Sequence, residues 1–236
     1  MPDDHYRAGG MATSLRPGCT GLPVFYWPAI SLQTARWPHR SRIQRWHRTN
    51  RSMTIYVIAG PPGIGKSTNA NELIPVGVPI IDQDLAGYQY KKQGFTDYQD
   101  LASIRSNQQL KDYLFSGQDF ALELNLGFAS HYDYLKSIAF FDRRNQINLL
   151  LFFTDDINLC LDRAAVWYLS GGHEVKPEVI EEMYTNTLPL FAENRTLFQS
   201  VRLIDMTGIT VTEYGRRSDG LPHWITSNGL TDYLLK

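Results

Sequence analysis

The chain has 236 residues, of which 43% are hydrophobic and 20% charged, and its formal net charge is −1. This length suits one α/β domain with an appendage, and no apolar run approaches the roughly 18 residues of a membrane-spanning helix. Its two cysteines exclude a disulfide framework and fit a reducing compartment, so we expect a cytoplasmic protein without membrane contact.

Residues 1–52 differ from the rest of the chain. They carry eight Arg and two Asp, a net +6, whereas residues 53–236 carry fifteen Lys or Arg and twenty-two Asp or Glu, a net −7. The first segment has no hydrophobic period, and its early acids fit neither a secretory signal nor a transit peptide. We expect residues 1–52 to be a disordered or misassigned extension, with Met53 as the physiological start; the alternative is a basic arm for nucleic acid.

From residue 54 onward, strand patterns alternate with helix patterns. The predicted strands are 54–59, 78–81, 120–122, 147–153 and 201–205, with a weaker one over 209–214. The predicted helices are 66–74, 97–116, 130–144 behind a Ser130–Asp133 capping box, 155–170 behind Asp155 or Asp156, and one from Pro177 that Pro189 breaks or kinks. A final helical turn is expected over 231–235. This alternation predicts one doubly wound α/β domain, residues 53–236, with a mostly parallel five-stranded sheet.

A P-loop pattern, G-x-x-x-x-G-K-[ST], follows the first strand. Its glycines let backbone N–H groups approach phosphate oxygens, and the next helix turns its positive end toward the same anion. Lys66 is expected to reach the β- and γ-phosphates from a solvent-accessible position, and the Ser67 hydroxyl to ligate Mg²⁺. The pattern predicts a site for ATP or GTP with Mg²⁺. The predicted nucleotide-binding residues are Gly60, Pro61, Pro62, Gly63, Ile64, Gly65, Lys66, Ser67 and Thr68.

Two acids, Asp82 and Asp84, directly follow the second predicted strand. Ligands of open α/β sheets bind outside the carboxyl ends of the strands, so these carboxylates should face the crevice of the P-loop. One would accept a proton from a substrate hydroxyl and the other would hold a Mg²⁺-bound water, unless one of them caps a following helix. Glu123 ends the third strand, where we favour substrate binding or the Mg²⁺ shell over a structural ion pair.

Several separated segments resemble the zeta toxin family of P-loop kinases, in particular its small chromosomal branch. The segments are 59–68, 81–84, 123–126, Arg163 followed by 171–175, and Ile204 and Asp205 with Gly208. The resemblance covers about residues 54–205 and implies a P-loop kinase fold. The best-known activity of this family is ATP-dependent phosphorylation of the 3′-hydroxyl of UDP-N-acetylglucosamine, so a sugar nucleotide is the implied acceptor.

The resemblance also implies roles for individual residues. Asp84 would be the general base, Arg163 would stabilise charge on the triphosphate, and His173 would belong to a lid joint. Alternatives are a surface salt bridge for Arg163 and a helix C-cap for His173. The implied acceptor-binding residues are Asp82, Glu123 and Asn125, and Asp82 would also hold Mg²⁺ through water.

Two positions depart from the family, because Trp167 and Met183 stand where its members carry arginine. An arginine finger accounts for about 10³–10⁵ in the rate of P-loop enzymes. The departure therefore predicts slow transfer that depends on Arg163, and arginine at 167 or 183 should raise the rate. Trp167 is otherwise expected to be a core aromatic, with stacking on the nucleotide base as the alternative.

Three functions are compatible with these features. The first is a kinase that transfers the γ-phosphoryl group of ATP to a hydroxyl of a small molecule. The second is a nucleotide-binding module with little or no transfer, suggested by Trp167 and Met183. The third is a nucleic-acid end kinase, which the −7 charge of residues 53–236 disfavours because phosphate backbones need a basic track. The family resemblance makes an antitoxin a candidate partner, although no sequence feature shows one.

Overall fold

The computed structural model describes residues 52–208, 212–214 and 220–233. Its strands are β1 (Thr54–Ala59), β2 (Ile80–Ile81), β3 (Phe120–Glu123), β4 (Gln146–Phe153), β5 (Ser200–Asp205) and β6 (Thr212–Tyr214). Its α-helices are α1 (Lys66–Leu73), α2 (Gln83–Lys92), α3 (Tyr98–Ser116), α4 (Ala129–Ala139), α5 (Ile157–Leu169), α6 (Pro177–Glu193) and α7 (His223–Ser227). Short 3₁₀ helices span Arg195–Leu197 and Leu230–Tyr233.

The strands form one sheet in the order β2-β3-β1-β4-β5-β6. The first five strands are parallel, and β6 pairs antiparallel with β5. Successive residues of the central strands, such as Val57 with Ile58 and Leu149 with Leu150, are all buried. Because successive side chains point to opposite faces, both faces of the sheet are covered. This confirms the predicted mostly parallel α/β fold, with β6 as a sixth strand; residues 209–211 of the weaker predicted strand lie outside the described residues.

Several predicted helix ends are confirmed. The Asp156 side chain caps α5 by accepting a hydrogen bond from the Asn158 N–H at 3.0 Å. Pro177 is the first residue of α6. Gly171, with φ 95°, lies just beyond the end of α5, where the left-handed conformation favours glycine.

Other predicted helix features are wrong. Helix α2, which the strand and helix patterns did not predict, directly follows β2 and contains Asp84. Helix α4 begins after Phe128 without a side-chain cap, so the Ser130–Asp133 capping box does not form, and the helix ends at Ala139. Helix α6 continues through Pro189, so the predicted break is wrong, and the alternative, a kink, stays a prediction. Burial of Leu188 and Phe191 offsets the hydrogen bond that proline cannot donate.

The topology fixes where the site lies. Strand β1 is central, with β3 on one side and β4 on the other. The chain leaves β1 toward β2 and later crosses from β3 to β4, so the strand order reverses around β1. Crevices at such switch points, at the carboxyl ends of parallel strands, are the usual ligand sites of open α/β sheets. The P-loop begins at this point.

Candidate active site

The P-loop glycines fill positions where a side chain cannot fit. Gly60 has φ 141°, and a Cβ there would overlap the carbonyl oxygen of Phe152 at the end of β4. Gly63 has φ 77°, and a Cβ there would overlap the carbonyl oxygen of Cys160 in α5. The loop therefore lies directly against β4 and α5. Because the loop packs this closely, its backbone is compactly folded, as expected of a loop whose N–H groups surround a phosphate.

Lys66 is buried, with 5% of its surface exposed, which corrects the expectation of a solvent-accessible amino group. Its Nζ donates to the Gly60 carbonyl at 3.0 Å, to the Pro61 carbonyl at 3.1 Å and to the Asn125 Oδ1 at 2.8 Å. An ammonium group has three donors, and all three are used. The side chain is therefore folded back over its own loop, with its third hydrogen bond to Asn125.

Glu123 at the end of β3 meets both P-loop side chains that the sequence assigned to phosphate and Mg²⁺. The Ser67 hydroxyl donates to its two carboxylate oxygens at 3.0 and 3.2 Å, and the Lys66 Nζ lies 3.8 Å from its Oε1. The pKa of Glu123 is raised to about 8, mainly by burial and also by the charges of Asp82 and Asp84, although Lys66 and Ser67 oppose the shift. The carboxylate thus lies within the phosphate site.

Asp82 and Asp84 have different positions. Asp82 is the N-cap of α2, and its Oδ1 accepts from the Leu85 N–H at 2.9 Å, which is the capping alternative. Asp84 lies one step into the helix, in its first turn. Although the Asp84 residue is exposed at the mouth of the crevice, surrounding protein raises its pKa; His173 opposes this shift, and Asp82 adds to it. Of the two acids, Asp84 is the one whose side chain has no capping role.

Arg163 on α5 also reaches the P-loop. Its Nη1 donates to the Ile64 carbonyl at 3.1 Å, and it lies beside Gly65. The structure therefore brings Arg163 together with Lys66, although 97 residues separate them in the chain.

The two departures from the family differ in their surroundings. Met183 on α6 is 4% exposed and packs against Gly127, where a Cβ would overlap it. Trp167 on α5 is half-buried, and its ring lies 4.8 Å from that of Tyr88 on α2. Neither side chain takes the place of a cation at the P-loop.

His131 is a polar residue beside the site that the sequence analysis missed. It lies in the first turn of α4, is 9% exposed, and its Nδ1 has no hydrogen-bond partner among the described residues. Burial, together with the charge of Lys66, lowers its pKa to about 4. The only indication in the sequence was that His131 lies six residues after Asn125. The incorrect prediction of a capping box at Ser130 obscured this indication.

A second missed feature joins the C-terminal helix to the carboxyl ends of β4 and β5. The buried Trp224 donates from Nε1 to the Asp205 Oδ1 at 3.0 Å, and its backbone N–H donates to the Asp155 Oδ2 at 3.2 Å. The same Asp205 oxygen accepts from the Thr207 hydroxyl at 2.7 Å. These bonds fix the loop containing Met206, whose Cε lies 3.2 Å from the position of a Cβ on Gly65.

The described residues contain no group of three or more His, Cys, Asp or Glu arranged to hold a metal ion. A Mg²⁺ ion commonly keeps several waters and binds through one or two side chains plus phosphates. Ser67 and the adjacent Glu123 suit that mode of binding. No helix among the described residues is long and apolar enough to cross a membrane.

Comparisons with known proteins identify the fold. No family model matches the chain, and no curated protein matches it. A structure of the PezAT chromosomal toxin–antitoxin system of Streptococcus pneumoniae is similar, with a TM-score of 0.50, 12% identity, and coverage of 80% of this chain and 78% of that one. The AvrRxo1-ORF1:-ORF2 complex with ATP gives a TM-score of 0.49, 12% identity and coverage of 71% and 59%. A gluconokinase from Sinorhizobium meliloti gives a TM-score of 0.38 and 17% identity, with coverage of 67% of this chain and 86% of that one. The chain thus shares an α/β fold with the toxin–antitoxin structure, at 12% identity.

Proposed function

We propose that the protein is a kinase that transfers the γ-phosphoryl group of ATP to a hydroxyl of a small-molecule acceptor. The observation that carries this proposal is the meeting of Lys66, Ser67 and Glu123 at the P-loop with Asp84 at the mouth of the same crevice. A P-loop alone supports nucleotide binding. Asp84, an acid that lies near the P-loop and does not cap a helix, supports transfer to an acceptor.

The donor half of the reaction rests on the P-loop. Backbone N–H groups of residues 63–67 and the amino end of α1 would hold the β- and γ-phosphates. Lys66 would exchange its three protein oxygens for phosphate oxygens, and Arg163 would leave the Ile64 carbonyl to meet charge that develops on the γ-phosphoryl group. When bound, Mg²⁺ supplies charge neutralisation of the β- and γ-phosphates, and Ser67 would hold it.

Asp84 would serve the acceptor half as general base. Its raised pKa makes the ionised carboxylate a stronger base than an ordinary Asp. It would take the proton from the acceptor hydroxyl as that oxygen bonds to the γ-phosphorus and the bond from the γ-phosphorus to the β–γ bridging oxygen breaks. The products are ADP, a phosphate monoester and a protonated Asp84, which then returns the proton to solvent.

The acceptor class is supported by the resemblance to the zeta toxin family. Its motif acids correspond here to Asp84 and Glu123, which lie in one crevice. We therefore propose UDP-N-acetylglucosamine, or a related sugar nucleotide, as the first acceptor to test, with Asp82, Glu123 and Asn125 as contacts. An antitoxin protein belongs to the same proposal as a partner.

A nucleotide-binding module without transfer is the second candidate, and one observation favours it. Met183 is buried against Gly127 instead of supplying a cation, and Trp167 packs on Tyr88. Only Arg163 would then be available on α5 and α6 for transition-state charge.

A metabolite screen tests the proposed function. The full chain is incubated with ATP, Mg²⁺ and a mixture of sugar nucleotides and cell metabolites, and products are analysed by mass spectrometry. We expect one small molecule to gain the mass of one phosphate with the wild type, and not with Lys66→Ala or Asp84→Asn. Bound ATP without any phosphorylated product would favour the module.

A further inference from the structure

One face of α2 contacts the end of α5 and the turn that joins α5 to α6. Asp84, Tyr88 and Lys91 are spaced four and three residues apart, so they lie along one face of the helix. Asp84 faces His173, since the charge of His173 acts on its carboxyl group. Tyr88 packs on Trp167, and the Lys91 Nζ donates to the Gly172 carbonyl at 3.1 Å.

The turn between α5 and α6 packs against Trp167. A Cβ on Gly172 would overlap the indole ring, so only glycine fits there. The Gly172 N–H donates to the Trp167 carbonyl at 3.0 Å, which orients the Gly172 carbonyl that Lys91 reaches. The Tyr88 and Trp167 rings meet at 46°, with centroids 4.8 Å apart. Trp167 is therefore half-buried and in contact with Tyr88 rather than part of the buried core.

Helix α5 connects this contact with the P-loop. Arg163 and Trp167 are four residues apart and lie on the same side of α5. Arg163 contacts the P-loop at Ile64, and Trp167 contacts α2, which carries Asp84. Helix α5 thus contacts both the P-loop and α2.

We propose that Trp167, together with Tyr88 and Lys91, is a positioning element that docks α2 against the α5–α6 turn and so holds Asp84 in place before any ligand binds. This inference rests on the proposed function for its catalytic consequence, but the docking itself does not. At position 167 the aromatic ring of Trp167 stands where members of the resembled zeta toxin family carry arginine. The contact with Tyr88 thus takes the place of a cation.

Hydrogen exchange tests the docking without requiring an acceptor. Backbone amide exchange is measured in the full ligand-free chain for the wild type, Trp167→Leu, Lys91→Met and Trp167→Phe. Exchange in α2 should accelerate at least 10-fold in Trp167→Leu and Lys91→Met, and Trp167→Phe should restore most of the protection. The matched control is Tyr168→Leu, which removes the neighbouring exposed ring of α5. Exchange in α2 that is unchanged in both variants would overturn the docking.

Transfer kinetics test the positioning role. With the acceptor identified by the metabolite screen, single-turnover transfer at saturating acceptor should fall 10- to 100-fold in Trp167→Leu, while the dissociation constant of ATP stays within 2-fold of wild type. Faster α2 exchange with an unchanged transfer rate would overturn the positioning role. If the wild type transfers no phosphate, the proposed function and the positioning role both fail, whereas the exchange data still decide the docking.

Discussion

The donor and acceptor sides of the crevice are built in different ways. On the donor side, the P-loop carries its own geometry within residues 60–67, through glycines at positive φ and a lysine that bonds to its own loop. On the acceptor side, α2 packs on α3 and also contacts residues some 80 positions away. Tyr88 meets Trp167, and Lys91 donates to the Gly172 carbonyl. The proposed phosphate site is therefore specified mainly within one loop, whereas the proposed base is placed by contacts between helices.

The two sides also differ in charge. The donor side has two cations, Lys66 and Arg163, both bonded to backbone carbonyls. The acceptor side has three carboxyl groups, and the pKa values of Asp84 and Glu123 are raised. The sides meet where the Lys66 Nζ lies 3.8 Å from Glu123. Substitutions on the donor side should therefore abolish transfer, whereas those on the acceptor side should lower its rate by different amounts.

Lys66→Ala should have the largest effect. We expect loss of ATP affinity or transfer by about 10³-fold or more, because the variant lacks a buried cation at the β- and γ-phosphates. The free energy of unfolding should also fall by about 1–3 kcal/mol, since three buried oxygens lose their donor. Calorimetric ATP titration and thermal melting measure both effects, with Lys111→Ala on the exposed side of α3 as control. Wild-type ATP binding and turnover would contradict the assignment.

Arg163→Ala should abolish the remaining transfer, because an arginine at transition-state charge accounts for about 10³–10⁵ in rate. Its bond to the Ile64 carbonyl is one contact at an exposed residue, so melting should change little. Single-turnover rates of the wild type, Arg163→Ala and Arg163→Lys separate charge from guanidinium geometry. If Arg163→Ala is as fast as wild type, Arg163 has no role in transfer.

Asp84→Asn should reduce transfer by about 10²–10⁴-fold and leave ATP binding near wild type. Because the pKa of Asp84 is raised, the wild-type rate should increase with pH above the ordinary titration range of Asp, as the base becomes ionised. The matched control is Asp100→Asn, since Asp100 is likewise an exposed acid in the first turn of a helix, α3, but lies outside the proposed site. Loss of ATP and Mg²⁺ binding in Asp84→Asn would instead place Asp84 in the metal shell.

Met183→Arg tests the sequence-based expectation that arginine here raises the rate. The burial of Met183 against Gly127 gives the opposite expectation. A long charged side chain should lower the free energy of unfolding by about 2–3 kcal/mol, or the melting temperature by roughly 5–10 °C. Met183→Leu controls for the change of shape. Faster transfer by Met183→Arg with unchanged melting would restore the original expectation.

Glu123→Gln should have the most pH-dependent effect. With a native pKa of about 8 and an ordinary value of 4.5, the native state holds a proton that the unfolded state releases between these pH values. Wild-type stability should therefore fall as pH rises from 4.5 through 8, and glutamine removes that loss. The melting temperature of Glu123→Gln relative to wild type should rise between pH 4.5 and 8.5, whereas the exposed control Glu182→Gln should show no such trend.

The contrast between the two sides explains what the sequence could predict. Strand periodicity and the P-loop spacing were enough for the parallel sheet and the nucleotide loop, because both depend on local pattern. The burial of Lys66 was not predicted, since its partner Asn125 is distant in sequence. Helix α2 was missed because its apolar pattern is weak, and the contact of Trp167 with Tyr88 depends on how two helices pack.

The central claim is that the two sides together transfer phosphate to an acceptor hydroxyl. The most direct measurement is ³¹P NMR of the full chain with ATP, Mg²⁺ and UDP-N-acetylglucosamine, followed by the metabolite mixture. We predict that the γ-phosphate resonance is replaced by that of a phosphate monoester, and that Asp84→Asn suppresses this product. Inorganic phosphate as the sole product, or ATP that is bound yet unchanged with every acceptor, would contradict the claim.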